Sequence, residues 1–344
     1  MENSRMIRTS TTVAPVEIGE DVLFELKDFN VAYRMGKDRV YACQDINLQV
    51  RPRTSIGIVG ESGSGKSTLV NAFLRLIPER IAEITGEALL QGEDLMRASK
   101  ERMADLRWKE ISVVFQKSMN SLSPVHRVGD QLEDVYRVHH PSASKREIRQ
   151  RLLELFEVVS LPPRILRSFP HELSGGMMQR ISIALSLLFD VKLLVLDEAT
   201  TALDVVTQSQ ILQEVIRMED QMDLTRLMIT HDISVVASTC REIAVMYAGR
   251  IMEQGLVTEV LVDPKHPYTQ GLLGSFPTLT GERREVEGIP GSLPRLTEKF
   301  NYCPFADRCP EVMPICREVL PPATQHAQEQ AVYCHLYTEG AANA

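Results

Sequence analysis

No apolar run in this sequence is long enough to cross a bilayer. The most apolar stretch, Ile181 to Leu196, is interrupted by Asp190 and Lys192, and a spanning helix needs about 20 apolar residues. Positive charge is not in excess either. Lys and Arg number 38 against 46 Asp and Glu, for a formal net charge of -8. A binder of bulk nucleic acid needs a basic surface to displace phosphate counterions, so no nucleic-acid partner is expected. The first 20 residues hold no apolar core of a secretory signal and read as a polar, frayed tail. Internal repeats and low-complexity segments are missing. Of six cysteines, Cys43 and Cys240 stand alone among apolar neighbours and read as buried small hydrophobes.

What is present is an α/β pattern. Residues 21 to 57 hold two alternating stretches, VLFELKDFNVAY and VYACQDINLQV, which predict a half-buried antiparallel sheet. SIGIVG reads as a short buried strand, and a helix follows from Lys66, with Leu69, Val70, Phe73, Leu74 and Ile77 on one face and Pro78 closing it. Between residues 118 and 172 the pattern changes. Ile148, Leu152, Leu155, Phe156 and Val159 lie at helical spacing among charges, which predicts a helical insert. A helix after Ser174, a strand at LLVLD, a helix from Val205 to Met218 and strands at RLMIT and REIAVMYAG restore the α/β pattern. From Val262 onward prolines are frequent and predict an irregular extension over residues 263–344.

GESGSGKST, Gly60 to Thr68, fits the phosphate-loop pattern, with a strand before it and a helix after it. Gly60, Gly63 and Gly65 let the backbone wrap phosphate oxygens, and the N–H groups around Ser62, Ser64 and Thr68 face negative charge at the helix start. Lys66 is placed to reach the β- and γ-phosphates of ATP and Ser67 to ligate Mg2+. The apolar run ending at Asp197 and Glu198 delivers two carboxylates to a strand end, where such sheets bind ligands. Asp197 is the candidate Mg2+ holder and Glu198 the group that polarises the attacking water.

LSGGMMQR, Leu173 to Arg180, resembles the signature sequence of ABC ATPases. That resemblance implies a P-loop fold: a RecA-like core with an antiparallel β subdomain and a helical insert, spanning residues 21–262. It also implies a head-to-tail dimer, in which Ser174, Gly175, Gly176 and Gln179 serve the nucleotide held by the opposite subunit. The remaining motifs agree with it. Tyr33 stands where the family places an aromatic against adenine, with Tyr41 second. Gln116 matches the glutamine loop that contacts Mg2+ and the water. Asp204, closing TALD, matches the interface loop, and His231 matches the histidine that senses the γ-phosphate.

FQKSMNSLSP, DEATTALD, HPYTQGLL, IPGSLP and the C-terminal cysteines resemble the ATP-binding subunits of the dipeptide, oligopeptide and nickel uptake family over residues 21 to 337. One departure is Ala199, where the family has proline; it changes a backbone restraint and no reactive group. The resemblance implies ATP hydrolysis coupled to solute uptake, with peptides first and nickel or oligosaccharides as alternatives. It further implies a second, different ATPase chain, two transmembrane permease subunits, an external solute-binding protein, and a peripheral place on the cytoplasmic face of the inner membrane. Two other classes conflict with the residues. ABC ATPases of DNA repair carry long coiled coils and those of translation carry tandem domains, whereas this chain has one ATPase unit and a short insert. A regulatory module with dead chemistry has no need of an intact Lys66, Glu198 and His231.

Cys303, Cys309, Cys316 and Cys334 are spaced C-x5-C-x6-C-x17-C, unlike the paired spacing of zinc ribbons. Four thiolates suit zinc or an iron–sulfur cluster, with free or redox-sensitive thiols as the third alternative. The resemblance implies a [4Fe-4S] cluster with a structural role.

Overall fold

In the computed structural model, residues 22–116, 118, 121–199, 203–275, 288–326 and 329–338 are described. The expected N-terminal tail lies outside them. The chain opens with β1 (Phe24–Met35), β2 (Asp38–Val50) and β3 (Ser55–Val59), then α1 (Lys66–Phe73). Next come β4 (Ala82–Leu90), β5 (Glu93–Asp94), α2 (Lys100–Lys109) and β6 (Ile111–Val114). α3 (Val128–His139), α4 (Lys145–Val158) and α5 (Gly175–Ser186) follow without an intervening strand. Alternation then resumes with β7 (Leu193–Asp197), α6 (Val205–Met222), β8 (Thr225–Ile229), α7 (Ile233–Thr239), β9 (Glu242–Tyr247) and β10 (Arg250–Leu256). The last elements are α8 (Val257–Val260), α9 (Pro267–Gly274), β11 (Ala323–Gln325) and β12 (Ala331–Tyr333).

Two sheets result. β2-β1-β4-β5 is antiparallel, with Phe24 opposite Val50 and Met35 opposite Asp38. The larger sheet has the order β11-β12-β10-β9-β3-β8-β7-β6. Its five strands from β9 to β6 are parallel. β3, β7 and β8 are buried at every position, as central parallel strands covered on both faces must be.

Three apolar clusters hold these layers. The first lies between the antiparallel sheet and α1, around Phe24, Phe29, Leu69 and Phe73. The second joins α3, α4, α5 and α6 to β7 through Leu132, Phe156, Ile181 and Val215. α4 buries the stripe the sequence predicts: Ile148, Leu152, Leu155 and Phe156. Ser144 caps that helix by accepting from the Glu147 N–H.

The third cluster belongs to the C-terminal extension, which has more regular structure than its prolines suggest. Phe300 and Phe305 pack with Tyr268, Tyr247 and Val236. Burying one such aromatic contributes about 1.5–3 kcal/mol. β12 joins β10 antiparallel, so the extension continues the large sheet. Glu253 on β10 is fully buried and accepts from Lys265 N and Gln330 Nε2 at 2.8 Å and from His266 N at 3.0 Å. That one carboxylate ties β10 to the start of α9 and to the β12 edge. His266 then caps α9 through Nδ1, 2.9 Å from the Tyr268 N–H. Burial drives the His266 pKa down to about 3, so the ring is the neutral acceptor that the cap requires.

Candidate functional site

The parallel strands end on one edge, and the chemistry collects there. β3 ends at Val59 and the chain turns through Gly60 to Gly65 before α1 begins. Two of these glycines are sterically required. A Cβ on Gly60 would stand 2.0 Å from the Met246 carbonyl oxygen, and one on Gly65 2.1 Å from that of Ala42. Both backbones also have positive φ, 153° and 102°. The loop thus lies pressed on β2 and β9. Lys66 folds back over it. Its Nζ donates to Gly60 O at 2.7 Å, Glu61 O at 2.9 Å and Ser64 Oγ at 3.2 Å. Burial pulls the Lys66 pKa down, opposed by Glu198, Asp197 and Glu61.

β7 delivers Asp197 beside the start of α1, where Ser67 Oγ donates to Asp197 Oδ1 at 2.8 Å. Burial raises the Asp197 pKa, although the Ser67 bond works against it. Glu198 follows with a left-handed backbone (φ 48°). Its carboxylate accepts from Gln116 Nε2 at 2.9 Å, just past β6, and stands 3.5 Å from His231 Nδ1, just past β8. Lys66, Ser67, Asp197, Glu198, Gln116 and His231 therefore form one connected site. The Gln116 amide is turned to Glu198 by its nitrogen. Tyr33 stands at the rim, with Oη 3.3 Å from Thr68 Oγ1.

The signature residues lie elsewhere on the surface. Ser174 caps α5, its Oγ 3.3 Å from the Met177 N–H that donates to it. Ser174 and Gly175 are exposed at that helix start, a place suited to an anion. Gln179, on the same helix, is fully buried, and neither amide atom has a hydrogen-bond partner among the described residues. Asp204 caps α6, accepting from Thr207 N at 2.9 Å and Thr207 Oγ1 at 2.7 Å. Thr201 and Ala202 of the same loop lie outside the described residues.

The expected [4Fe-4S] cluster is corrected. Among the described residues no three His, Cys, Asp or Glu side chains are grouped so as to hold a metal ion. Cys303, Cys316 and Cys334 are buried free thiols and Cys309 is a half-buried one. Burial pushes Cys303 up to about 12 and Cys334 up to about 11, which keeps their protons on. Packing around Phe305 orders the segment instead.

Two residues at the phosphate loop escaped the sequence reading. Tyr268 Oη accepts from Glu61 N at 3.0 Å, and Arg308 Nη1 donates to Glu61 Oε2 at 3.0 Å. Both come from the C-terminal extension, and no local spacing announces either.

Comparison with known proteins agrees with this geometry. Residues 43–201 match the ABC transporter family, and residues 252–316 match the oligopeptide/dipeptide transporter C-terminal region. A probable peptide ABC transporter ATP-binding protein of Sinorhizobium fredii is 39% identical over 91% of this chain and 95% of its own. The oligopeptide transport ATP-binding protein OppD of Bacillus subtilis is 42% identical over 87% of this chain and 85% of its own. These names mention no iron–sulfur cluster. Among solved structures, a dimeric ATP-binding cassette in a post-hydrolysis state bound to ADP and phosphate is 28% identical, with a TM-score of 0.60. That match covers 68% of this chain and 98% of the other. A phosphate loop, a carboxylate pair at a strand end and a signature helix, on a chain so closely related along most of its length, have one reading. The chain belongs to the ABC transporter ATPases, and within them to the ATP-binding subunits that carry the oligopeptide/dipeptide transporter C-terminal region.

Proposed function

We propose that this chain is one ATPase half of an importer for di- and oligopeptides. It works as a peripheral subunit on the cytoplasmic face of the inner membrane. The observation that carries the ATPase role is the convergence of Lys66, Ser67, Asp197, Glu198, Gln116 and His231 from separate elements on one sheet edge. Peptides as solute rest on the match of residues 252–316 and on the names of the relatives. Residues 21–262 form the ATPase domain, with an insert over about 118–172, and residues 263–344 the extension.

The backbone from Gly60 through Gly63 and Gly65 to Thr68 wraps the phosphates, with Ser62, Ser64 and Lys66 as further donors and Tyr33 against the adenine. The Ser67 hydroxyl and the Asp197 carboxylate already touch, at 2.8 Å. Two such oxygens beside a phosphate pocket suit Mg2+. The ion, when bound, neutralises phosphate charge. Glu198 takes the proton of the attacking water. Gln116 and His231 hold the Glu198 carboxylate from both sides. Ser174, Gly175 and Gly176 face the nucleotide of a second, different ATPase chain, and the Asp204 loop crosses that interface.

Two transmembrane permease subunits complete the machine, and an external solute-binding protein feeds it. A cytoplasmic permease loop fits an apolar groove of about 260 Å3, lined by Leu74, Leu76, Trp108, Phe115 and Leu185. This groove adjoins the Gln116 segment, so movement at Glu198 has a short path to the permease.

Glu198→Gln in the assembled complex tests the chemistry. ATP binding is kept and turnover falls by a factor of about 100 or more, the usual contribution of a general base. Near-normal turnover refutes the role. Mild detergent extraction of the tagged chain, followed by mass spectrometry, tests the assembly. Two permeases and a second ATPase support the importer; a chain recovered alone from the soluble fraction removes it.

A further inference from the structure

Glu61 is the first variable residue of the phosphate loop, and each of its polar groups is engaged. Its N–H donates to Tyr268 Oη at 3.0 Å. Its carbonyl accepts from Lys66 Nζ at 2.9 Å and from Ser64 N at 3.2 Å. Its carboxylate accepts from Arg308 Nη1 at 3.0 Å. Two of these four partners come from the C-terminal extension.

Arg308 is itself held. Nε donates to Pro290 O at 2.8 Å, Nη2 to Ile289 O at 3.1 Å, and Nη1 also to Tyr247 Oη at 3.2 Å. The guanidinium carbon lies 5.6 Å from the Tyr247 ring centroid, within cation–π range. Its side chain is 8% exposed. Burial alone would weaken its charge, and the bonds to Glu61 and Tyr247 outweigh burial. The turn at Ile289–Gly291 therefore aims one arginine at one carboxylate. Leu293 covers the loop tip, its Cδ1 3.7 Å from where a Cβ on Gly63 would be. Leu296 O accepts from Tyr41 N at 2.7 Å and fastens the same segment to β2.

We infer that the C-terminal extension sets the shape of the phosphate loop through Glu61, with Arg308 and Tyr268 as positioning residues for nucleotide binding. The route is short. The Glu61 carbonyl is one of three acceptors that orient the Lys66 ammonium. Freeing the Glu61 side chain and N–H lets that carbonyl swing, and the ammonium moves with it. A uniform loss of binding follows, expressed in KM, because the reacting groups Glu198 and His231 are untouched. The inference rests on Lys66 being the phosphate ligand.

The test is a double-mutant cycle on the full chain, with Mg-ATP affinity read by calorimetry under non-hydrolysing conditions. Arg308→Ala and Glu61→Ala each weaken binding about tenfold, and the double variant is no weaker than either single. In the assembled transporter Arg308→Ala raises KM for ATP and leaves kcat within about twofold. Arg308→Lys, which keeps the charge, restores part of the affinity. Tyr268→Phe removes only the hydroxyl and checks the second contact should Arg308→Ala fail to fold; it too must weaken binding. Additive losses in the cycle, or unchanged affinity in both Arg308→Ala and Tyr268→Phe, overturn the inference. Lys66→Ala separates the two levels. Full affinity in that variant overturns the nucleotide site itself, whereas loss there with none at Arg308 and Tyr268 overturns the strut alone.

Discussion

Replacing Lys66 with alanine gives the sharpest quantitative test of the site. The Lys66 ammonium is buried and donates to Gly60 O, Glu61 O and Ser64 Oγ. Deleting it removes three charge-assisted bonds and also relieves a desolvated charge, since burial already pulls its pKa down. These effects oppose each other, so the melting temperature without ATP changes little. The bound state differs, because the phosphates lose a cation in a water-poor pocket. A hydrogen bond to a charged group contributes about 1.5–3 kcal/mol, which at about 2.7 kcal/mol is a hundredfold in Kd. Ligand at about 100 times Kd stabilises the native state by about 2.7 kcal/mol, and ligand equal to Kd by about 0.4 kcal/mol. A chain of 344 residues unfolds with an entropy of about 0.7 kcal/mol/K at the usual per-residue value. Thermal unfolding of the full chain, with and without Mg-ATP at that fixed concentration, should give a shift of about 4 °C for the parent and about half a degree for Lys66→Ala. A variant that keeps the full shift refutes the assignment of Lys66 to the phosphates.

Two further expectations concern charge. Burial raises the folded-state pKa of Asp197 above its ordinary 3.8. A carboxyl raised on folding contributes stability below its unfolded pKa and loses it as pH rises through the folded value. Asp197→Asn never carries that penalty. Its melting temperature should rise relative to the parent as pH climbs above about 3.8, while ATP hydrolysis is lost; a difference that does not change with pH would sink the burial argument. On α6 and β8, Glu219 pairs with Arg226, whose side chain is fully buried and also donates to Thr239 O. Glu219→Ala leaves that charge uncompensated and should cost about 3–5 kcal/mol in denaturant unfolding, whereas Glu219→Leu combined with Arg226→Met should lie near the parent. Equal losses in the two variants would mean that packing, not charge, holds the junction.

How much of this was legible follows from the distance over which each signal acts. The phosphate loop, the β7 carboxylates and the signature helix are local patterns of loop, strand and helix, and each sits where its pattern predicts. α4 was legible because four apolar residues recur at its period. α2 was not, because it buries only Met103 and Leu106 and its backbone breaks at Arg107 and Trp108. In the extension the prolines were read as irregularity, yet Pro267 is the first residue of α9, where a missing N–H costs nothing. β11 and β12 are three residues each, too short for any alternation to show. The cluster expected at the four cysteines came from the resemblance, not from their spacing, and neither says how a thiol is solvated: burial keeps Cys303 and Cys334 protonated.

The Glu61 contacts mark the limit of such reading. Arg308 lies 247 residues from Glu61 and Tyr268 lies 207 from it, so no window along the sequence contains either pair. They become adjacent only because β10 follows β9 next to β3, and the chain after β10 must return across the edge from which the phosphate loop springs. An extension placed there can touch the loop without passing through the carboxylates of Asp197 and Glu198. That placement makes nucleotide affinity adjustable independently of the hydrolytic step.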